Sequence, residues 1–208
     1  MATRAKVEEG ARELARRDPV MKRMLREHGV PDLHRRRRNS HFAELARMIC
    51  YQQLAGRAAA AIHGRFEGLF DGEPTPAAVL KMPEKKLRGA GLSAAKAASI
   101  RDLALKVDTG EVELDRVARL SDEKLVAELV LVRGIGEWTA HMFLMFQLGR
   151  LDVWPTLDFG VRNGFGRLYG IEPMPTPKQL QGEGDRLRPY RSLVAWYCWR
   201  AVDTTTPD

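Results

Sequence analysis

Two cysteines, Cys50 and Cys198, are all that the 208 residues contain. A disulfide framework, a four-cysteine zinc site and a four-cysteine iron–sulfur cluster are therefore excluded. Long apolar runs are also missing. Runs such as Ala140 followed by Met142–Phe146 fall far short of the roughly 20 residues a membrane span requires, so no membrane partner is expected. The first ten residues, MATRAKVEEG, hold no hydrophobic stretch that could serve as a secretory signal, and the expected location is the cytoplasm. Histidines at metal-ligand spacing are absent too. His34 and His41 stand seven apart in a basic linker, and His63 and His141 are isolated, so zinc is not expected. With 44% hydrophobic and 29% charged residues the composition is that of a folded chain, against disorder or a collagen-like repeat.

What the chain does have is arginine. Lysine and arginine total 34 against 27 acidic residues, 25 of them Arg, for a net charge of +7. Such a surplus favours polyanionic partners, nucleic acid first. An Arg- and Ala-heavy composition also follows from coding bias, so charge alone decides nothing. The length allows one large or two small domains with a real core.

Helical periodicity dominates and strand signals are nearly absent, which predicts an all-α chain of about ten short helices. Residues 8–25 carry the helical period, with Pro19 forcing a break or restart. Asn39 or Ser40 caps a helix over 42–51. The period resumes over 58–69, and Thr75 with Pro76 opens a short helix. Helices are expected over 83–88, over 93–107 with Ser93 as cap, over 122–132 with Ser121 as cap, and over 137–148. Past Pro155 the chain is rich in Gly and Pro until a final apolar helix over 192–202.

Two segments carry chemistry. Leu129-Val130-Leu131-Val132-Arg133-Gly134-Ile135-Gly136-Glu137-Trp138-Thr139-Ala140 places helix, tight Gly-x-Gly turn and helix in succession. The glycines admit backbone angles closed to other residues. The turn's amides and the second helix N-terminus then form an anion site suited to one phosphate, while Ile135 packs inward. An ordinary helix–Gly–helix corner reads the same way. Twenty-two residues after Gly136, Asp158 follows a proline turn among Trp154, Leu157 and Phe159. A carboxylate in apolar company is costly unless it is paired or functional. It also reads as the cap of a helix starting at Phe159, and both roles are compatible.

Together, the glycine hairpin and Asp158 at this distance resemble the helix–hairpin–helix (HhH-GPD) DNA glycosylase superfamily. Further blocks are similar to its alkylbase branch, typified by 3-methyladenine DNA glycosylase II. They are Phe42-Ala43-Glu44-Leu45 through Gln52-Gln53-Leu54 and Ala58-Ala59; Gly91-Leu92-Ser93 with Lys96-Ala97; and Arg188-Pro189-Tyr190-Arg191-Ser192 running to Trp199-Arg200. The resemblance covers roughly residues 40–202. It implies two helical lobes with a cleft between them. One, residues 42–150, would contain the hairpin at about 122–148; the other, residues 1–41 plus 151–208, would carry Asp158 and the C-terminal helix.

What the resemblance implies is a monofunctional glycosylase that flips alkylated bases of the 3-methyladenine or 7-methylguanine type out of duplex DNA and hydrolyses the N-glycosidic bond. Asp158 would be the catalytic carboxylate, with Trp138, Met142, Phe159 and Trp199 lining the base pocket. Gly134, Ile135, Gly136 and Thr139 would anchor a phosphate. The turn Gln52-Gln53-Leu54 would supply the wedge, through Gln53 and Leu54, with Arg57 and Arg162 on the backbone. In bifunctional relatives a Schiff-base Lys stands where this chain has Trp138, and no Lys lies between Lys124 and Lys178, so no lyase step is expected. The missing cysteine quartet argues against the iron–sulfur branch typified by endonuclease III. A hairpin Na⁺ or K⁺ would fall to the main-chain carbonyls of Val130, Val132 and Gly134; no other cofactor is expected. Trp138 and Trp199 also read as core residues, Gln52-Gln53 as helix termination, and the run His34–Arg38 as either a backbone-tracking segment or a solvated linker. The expected partner is damaged double-stranded DNA, bound by a monomer that is nucleoid-associated in a bacterium. A glycosylase for hypoxanthine or uracil, and a non-catalytic hairpin DNA-binding protein, are the alternatives. A pure binder would need neither Asp158 nor clustered aromatics.

Overall fold

The computed structural model describes residues 3–33 and 39–202. The basic run His34–Arg38 lies outside the described residues. Those that are described form twelve α-helices, joined by turns, and no strand. None of the helices is long and apolar enough to cross a membrane.

Short polar caps set the helix boundaries. Helix α1 (Arg4–Arg17) starts on Thr3. Asp18 ends α1 and starts α2 (Pro19–His28): its N–H donates to the Leu14 carbonyl, while its Oδ1 accepts from the Val20 and Met21 amides at 2.8 and 3.1 Å. Pro19 thus restarts the helix from its first position, where a missing N–H costs nothing. Ser40 caps α3 (His41–Tyr51). Helix α4 (Gly56–Glu67) begins two residues earlier than its apolar period suggests, on Ala55, which offers no side-chain acceptor. Helices α5 (Pro76–Lys81), α6 (Glu84–Gly89) and α7 (Ala94–Asp108) follow, with Thr75 capping α5 and Ser93 capping α7. Helix α8 (Asp122–Leu129) starts on Ser121 and stops three residues short of expectation, because Val130 already enters the glycine turn.

The helix expected over 137–148 resolves into two pieces. Helix α9 (Glu137–Met142) runs on into a π-helical turn, Phe143–Gln147, closed by the Leu148 amide on the Phe143 carbonyl at 3.1 Å. The Gly- and Pro-rich stretch holds two further helices, α10 (Phe159–Tyr169) and α11 (Pro177–Glu183), before α12 (Arg191–Ala201). Apolar periodicity gives no sign of α11, but its local chemistry does: Thr176 and Gln179 form a full capping box around Pro177.

The described residues divide into two compact units, one made of 3–33 with 141–202 and the other of 39–140. The second junction falls at 140/141, ten residues before the expected boundary at 150. The reason is that the segment after 140 is tied to α12. Phe146 stacks on Trp199 at 6.0 Å and 28°, and Ser192 donates its hydroxyl to the Arg150 carbonyl at 2.8 Å and its amide to the Leu151 carbonyl.

In the unit carrying both termini, α12 is buried from Arg191 to Trp199 and packs against α1, α2 and α10. A helix apolar on every side belongs inside. Its contact with α10 is made at glycine: a Cβ on Gly164 would lie 2.0 Å from the Cys198 carbonyl oxygen. In the other unit, α7 packs against α3, α5 and α6 around Leu45, Ile49, Val79, Leu87, Ile100 and Leu103.

Gly164→Ala must push α10 off α12, because the obstacle is backbone. The expected cost is at least about 2 kcal/mol, read as a fall of about 5 °C or more in melting temperature. A variant melting with the wild type would show that the two helices separate at no cost.

Candidate functional site

In the first unit the site grows from the start of α10. The extended entry is held rigidly: the Val153 amide donates to Ser192 Oγ at 2.9 Å and the Trp154 indole to the Leu180 carbonyl at 2.9 Å. The Pro155 carbonyl then accepts from the Asp158 amide at 3.0 Å, turning the chain into α10. Asp158 is the N-cap of that helix and is only 8% exposed. Its Oδ1 accepts from the Val161 amide at 2.7 Å and from the Trp199 indole N–H at 2.9 Å. Both bonds land on one oxygen, so the carboxylate plane and the direction of Oδ2 are set. The capping role and the buried-carboxylate role coincide.

Trp199 can reach Asp158 because Gly160 leaves it room; a Cβ there would sit 2.8 Å from the indole Cδ1. Trp199 is 1% exposed, stacked on Phe146, with its N–H committed to the carboxylate. Met142, expected beside the base, is likewise 1% exposed. Phe159 and Leu157 flank Asp158 and stay open, Phe159 at 66%. Burial and the negative charge of Asp158 push the Cys198 thiol far up, so this neighbour is not a thiolate nucleophile. Arg162, one turn into α10, donates Nε to the Pro175 carbonyl at 2.8 Å. A fixed carboxylate with apolar, exposed flanks can stabilise a developing cation and orient a water molecule.

The second unit holds the hairpin. The Val132 amide donates to the Leu129 carbonyl, and the Ile135 amide to the Val132 carbonyl at 3.0 Å. Gly134 sits at φ 77°, in the left-handed region, directly over α7; a Cβ would meet Ser99 Oγ at 2.5 Å. One turn along α7, Asp102 Oδ2 accepts from the Arg133 amide at 2.8 Å. Ile135 is buried. Gly136 stands in open space, where a Cβ would meet nothing within 4 Å. Helix α9 then starts, presenting amides that lack intrahelical acceptors. Trp138 is 39% exposed, whereas Thr139 is buried and its hydroxyl lies 3.4 Å from the Gln52 amide.

Gln52, Gln53 and Leu54 form a type II turn between α3 and α4. Gln52 has φ −52° and ψ 132°, Gln53 has φ 57°, and the Leu54 amide donates to the Tyr51 carbonyl at 3.3 Å. Gln53 is the one non-glycine residue at positive φ among those described. Gln53, Leu54 and Arg57 are exposed, and Gln52 is exposed in part.

For a hairpin Na⁺ or K⁺, the carbonyls of Val130, Val132 and Gly134 are hard oxygen donors of the right kind. The Val132 carbonyl already accepts from Ile135 and the Gly134 carbonyl from Gln52 Nε2 at 2.9 Å. Each keeps a second lone pair, so the donor set fits such an ion. Among the described residues no cluster of His, Cys, Asp or Glu could hold a metal.

Of the expected site residues, Met142, Asp158, Phe159, Arg162 and Trp199 fall in one unit. Gln53, Leu54, Arg57, Val130, Val132, Gly134, Ile135, Gly136, Trp138 and Thr139 fall in the other. Sequence reasoning missed the supports Ser99 and Asp102, and read Gln52 as part of the wedge turn or as helix termination, not as a side chain bonded to the hairpin. The signal for the first two was a polar pair three apart on α7 flanking Ile100.

The HhH-GPD superfamily of base excision DNA repair proteins matches residues 46–189. DNA-3-methyladenine glycosylase 1 of Schizosaccharomyces pombe is 35% identical over 172 residues, covering 80% of this chain and 75% of that protein. The solved structure of the S. pombe 3-methyladenine DNA glycosylase in complex with abasic DNA superposes with a TM-score of 0.78 at 31% identity, covering 92% of this chain and 95% of that one. The DNA-3-methyladenine glycosidase of Bacillus halodurans superposes with a TM-score of 0.84 at 30% identity, over 94% and 89% of the two chains.

The bare N-cap of α4 generates a test of its own. Ala55→Ser supplies the missing acceptor at an exposed position, and the expected gain is about 0.5–1 kcal/mol in urea unfolding. No gain would show that the α4 amides at the turn are already satisfied.

Proposed function

The chain belongs to the HhH-GPD superfamily of base excision DNA repair proteins, and from that membership we infer that it is a DNA glycosylase acting on alkylated bases in base excision repair. The observation that carries the reading is Asp158, buried, with Oδ1 pinned between the Val161 amide and the Trp199 indole.

The enzyme takes its target base out of the stack, since the sugar–base bond is inaccessible within the duplex. Positive charge then grows on the deoxyribose as the base leaves. The Asp158 carboxylate stabilises that charge and directs a water at the sugar, and its fixed plane means little reorganisation during the step. An alkylated purine already carries positive charge and departs without protonation by a second acid. For the same reason it is attracted to electron-rich rings, by roughly 0.5–2 kcal/mol per face. Phe159, beside Asp158, is the exposed aromatic surface that serves this in the first unit; Trp138 is exposed on α9 in the other, and Trp199 and Met142 are buried.

The hairpin holds backbone and reads no sequence. Gly136 leaves space for a phosphate against the first amides of α9. A Na⁺ or K⁺ on the Val130, Val132 and Gly134 carbonyls would add positive charge at the same place. Gln53 and Leu54 are the wedge, projecting from a surface turn whose left-handed Gln53 costs of order 1 kcal/mol or more. A glycine there would relieve that strain and lose the side chain. Arg57, in the first turn of α4, is a backbone contact. Arg162 serves the same end with the part of its guanidinium that the Pro175 carbonyl leaves.

Asp158→Asn keeps size and the capping acceptor but loses the charge. Its single-turnover excision of 3-methyladenine or 7-methylguanine is expected to fall at least about 100-fold, with duplex affinity retained. Wild-type rates would remove Asp158 from the mechanism. Running inosine- and uracil-containing duplexes alongside separates alkylated from deaminated substrates.

The reaction is also expected to stop at an intact abasic site. Trp138 stands where a Schiff-base lysine would be needed, and an indole N–H is no amine nucleophile. Product strands should break only on alkali or heat. A covalent protein–DNA adduct trapped by borohydride would contradict this.

A further inference from the structure

Gln52 belongs to neither the wedge nor the hairpin, yet it touches both. Its backbone occupies the second position of the type II turn that presents Gln53 and Leu54. Its side-chain amide crosses to the hairpin, donating to the Gly134 carbonyl at 2.9 Å and lying 3.4 Å from Thr139 Oγ1. Both partners are fixed from behind. Gly134 lies over Ser99 in a conformation only glycine tolerates well, and Thr139 is buried in α9. The turn is anchored at its other end as well: Lys96 Nζ donates to the Cys50 carbonyl at 2.8 Å, two residues before Gln52. Lys96, Ser99 and Asp102 follow one another at spacing three on α7, one contacting the turn's entry and two the hairpin. Beyond Cys50, the described contact that ties the turn to this scaffold is Gln52.

We propose that Gln52 is a positioning residue that latches the wedge turn to the phosphate-holding hairpin, so that an anchored phosphate fixes where Gln53 and Leu54 enter the duplex. This rests on the reading of the hairpin and turn as DNA-contacting elements. The chemistry selects glutamine. The position needs a donor that reaches a carbonyl and a hydroxyl together. Asparagine is one methylene too short, and a glutamate would set a carboxylate against the Gly134 carbonyl. With the latch broken, the hairpin still holds its phosphate. The wedge, mounted on a strained turn, loses its register, and the base is extruded less often. The latch therefore separates two quantities that a simple contact residue would change together: affinity for undamaged duplex and extrusion of the base.

The experiment compares Gln52→Met, which keeps length and neutrality but has no donor, with Gln52→Asn and Gly136→Asp in the full chain. Three things are measured: affinity for undamaged duplex, fluorescence of 2-aminopurine placed at the target position, and single-turnover excision of 7-methylguanine at saturating protein. Thermal melting reports folding. For Gln52→Met and Gln52→Asn the expected result is undamaged-duplex affinity within about twofold of wild type, with the 2-aminopurine signal and the excision rate down at least about tenfold. For Gly136→Asp the expected result is weaker binding to undamaged duplex. If the Gln52 variants extrude and excise as the wild type does while Gly136→Asp binds poorly, the latch is wrong and the hairpin reading stands. If Gly136→Asp binds undamaged duplex normally, the hairpin reading itself fails. A fall in melting temperature for the Gln52 variants with unchanged extrusion per folded molecule would also overturn the latch, by making the contact merely structural.

Discussion

Helices α10 and α12 meet with no room for a Cβ between Gly164 and the Cys198 carbonyl, and much else in the chain depends on that approach. It brings Trp199 over Gly160 and within 2.9 Å of Asp158 Oδ1. It also explains why α12 is apolar on all sides, since it is enclosed by α1, α2 and α10. The glycines at 160 and 164 are poor helix formers, each costing about 1 kcal/mol against alanine. They are retained inside α10 because the alternative is to lose the indole–carboxylate bond. A buried carboxylate without that bond and the Val161 amide would be a large penalty; with them it becomes a fixed acceptor aimed in one direction.

The other unit solves a different problem, holding two surface turns in register without burying them. Helix α7 does most of this from one face. Lys96, Ser99 and Asp102 bind a carbonyl, underlie a left-handed glycine and accept an amide, respectively. These are backbone contacts, so the turns are held whatever side chains they display. Burial lowers the Lys96 pKa, which marks the ammonium as partly withdrawn from water and dependent on the Cys50 carbonyl. Exposed apolar groups such as Leu54 and Trp138 are thereby carried on rigid supports, the arrangement expected where a surface must bind without rearranging.

On the proposed reading, a single carboxylate is a sparse catalytic inventory. It suffices for a leaving group that already bears positive charge, and the neighbouring chemistry agrees with that economy. The nearby thiol is held protonated, and the aromatic faces around Asp158 and on the hairpin helix are hydrocarbon and indole with no amine among them. The same inventory would be poorly suited to a neutral base that needs a proton before it leaves.

Local rules carry far in this chain. Ser40, Thr75, Ser93 and Ser121 begin their helices, Pro19 restarts one, and Asp158 caps another, because a cap is a contact between residues two or three apart. The glycine hairpin and its distance to Asp158 are legible for the same reason. What local rules miss has one cause. The glycines of α10 look like loop, the signal over 137–148 looks like one helix, nothing local marks Met142 as buried, and nothing local decides between pocket and core for Trp199. In each case the deciding partner is remote in sequence: Cys198 against Gly164, the residues packed around the π-helical turn, Asp158 against the Trp199 indole. Gln52 reaching Gly134, 82 positions away, belongs with them. The residues by themselves determined where helices start, which carboxylate is exceptional and which turn invites a phosphate. Only the tertiary structure decided which aromatic is buried and which amide is a latch, because burial and long-range hydrogen bonds exist only once distant segments have packed.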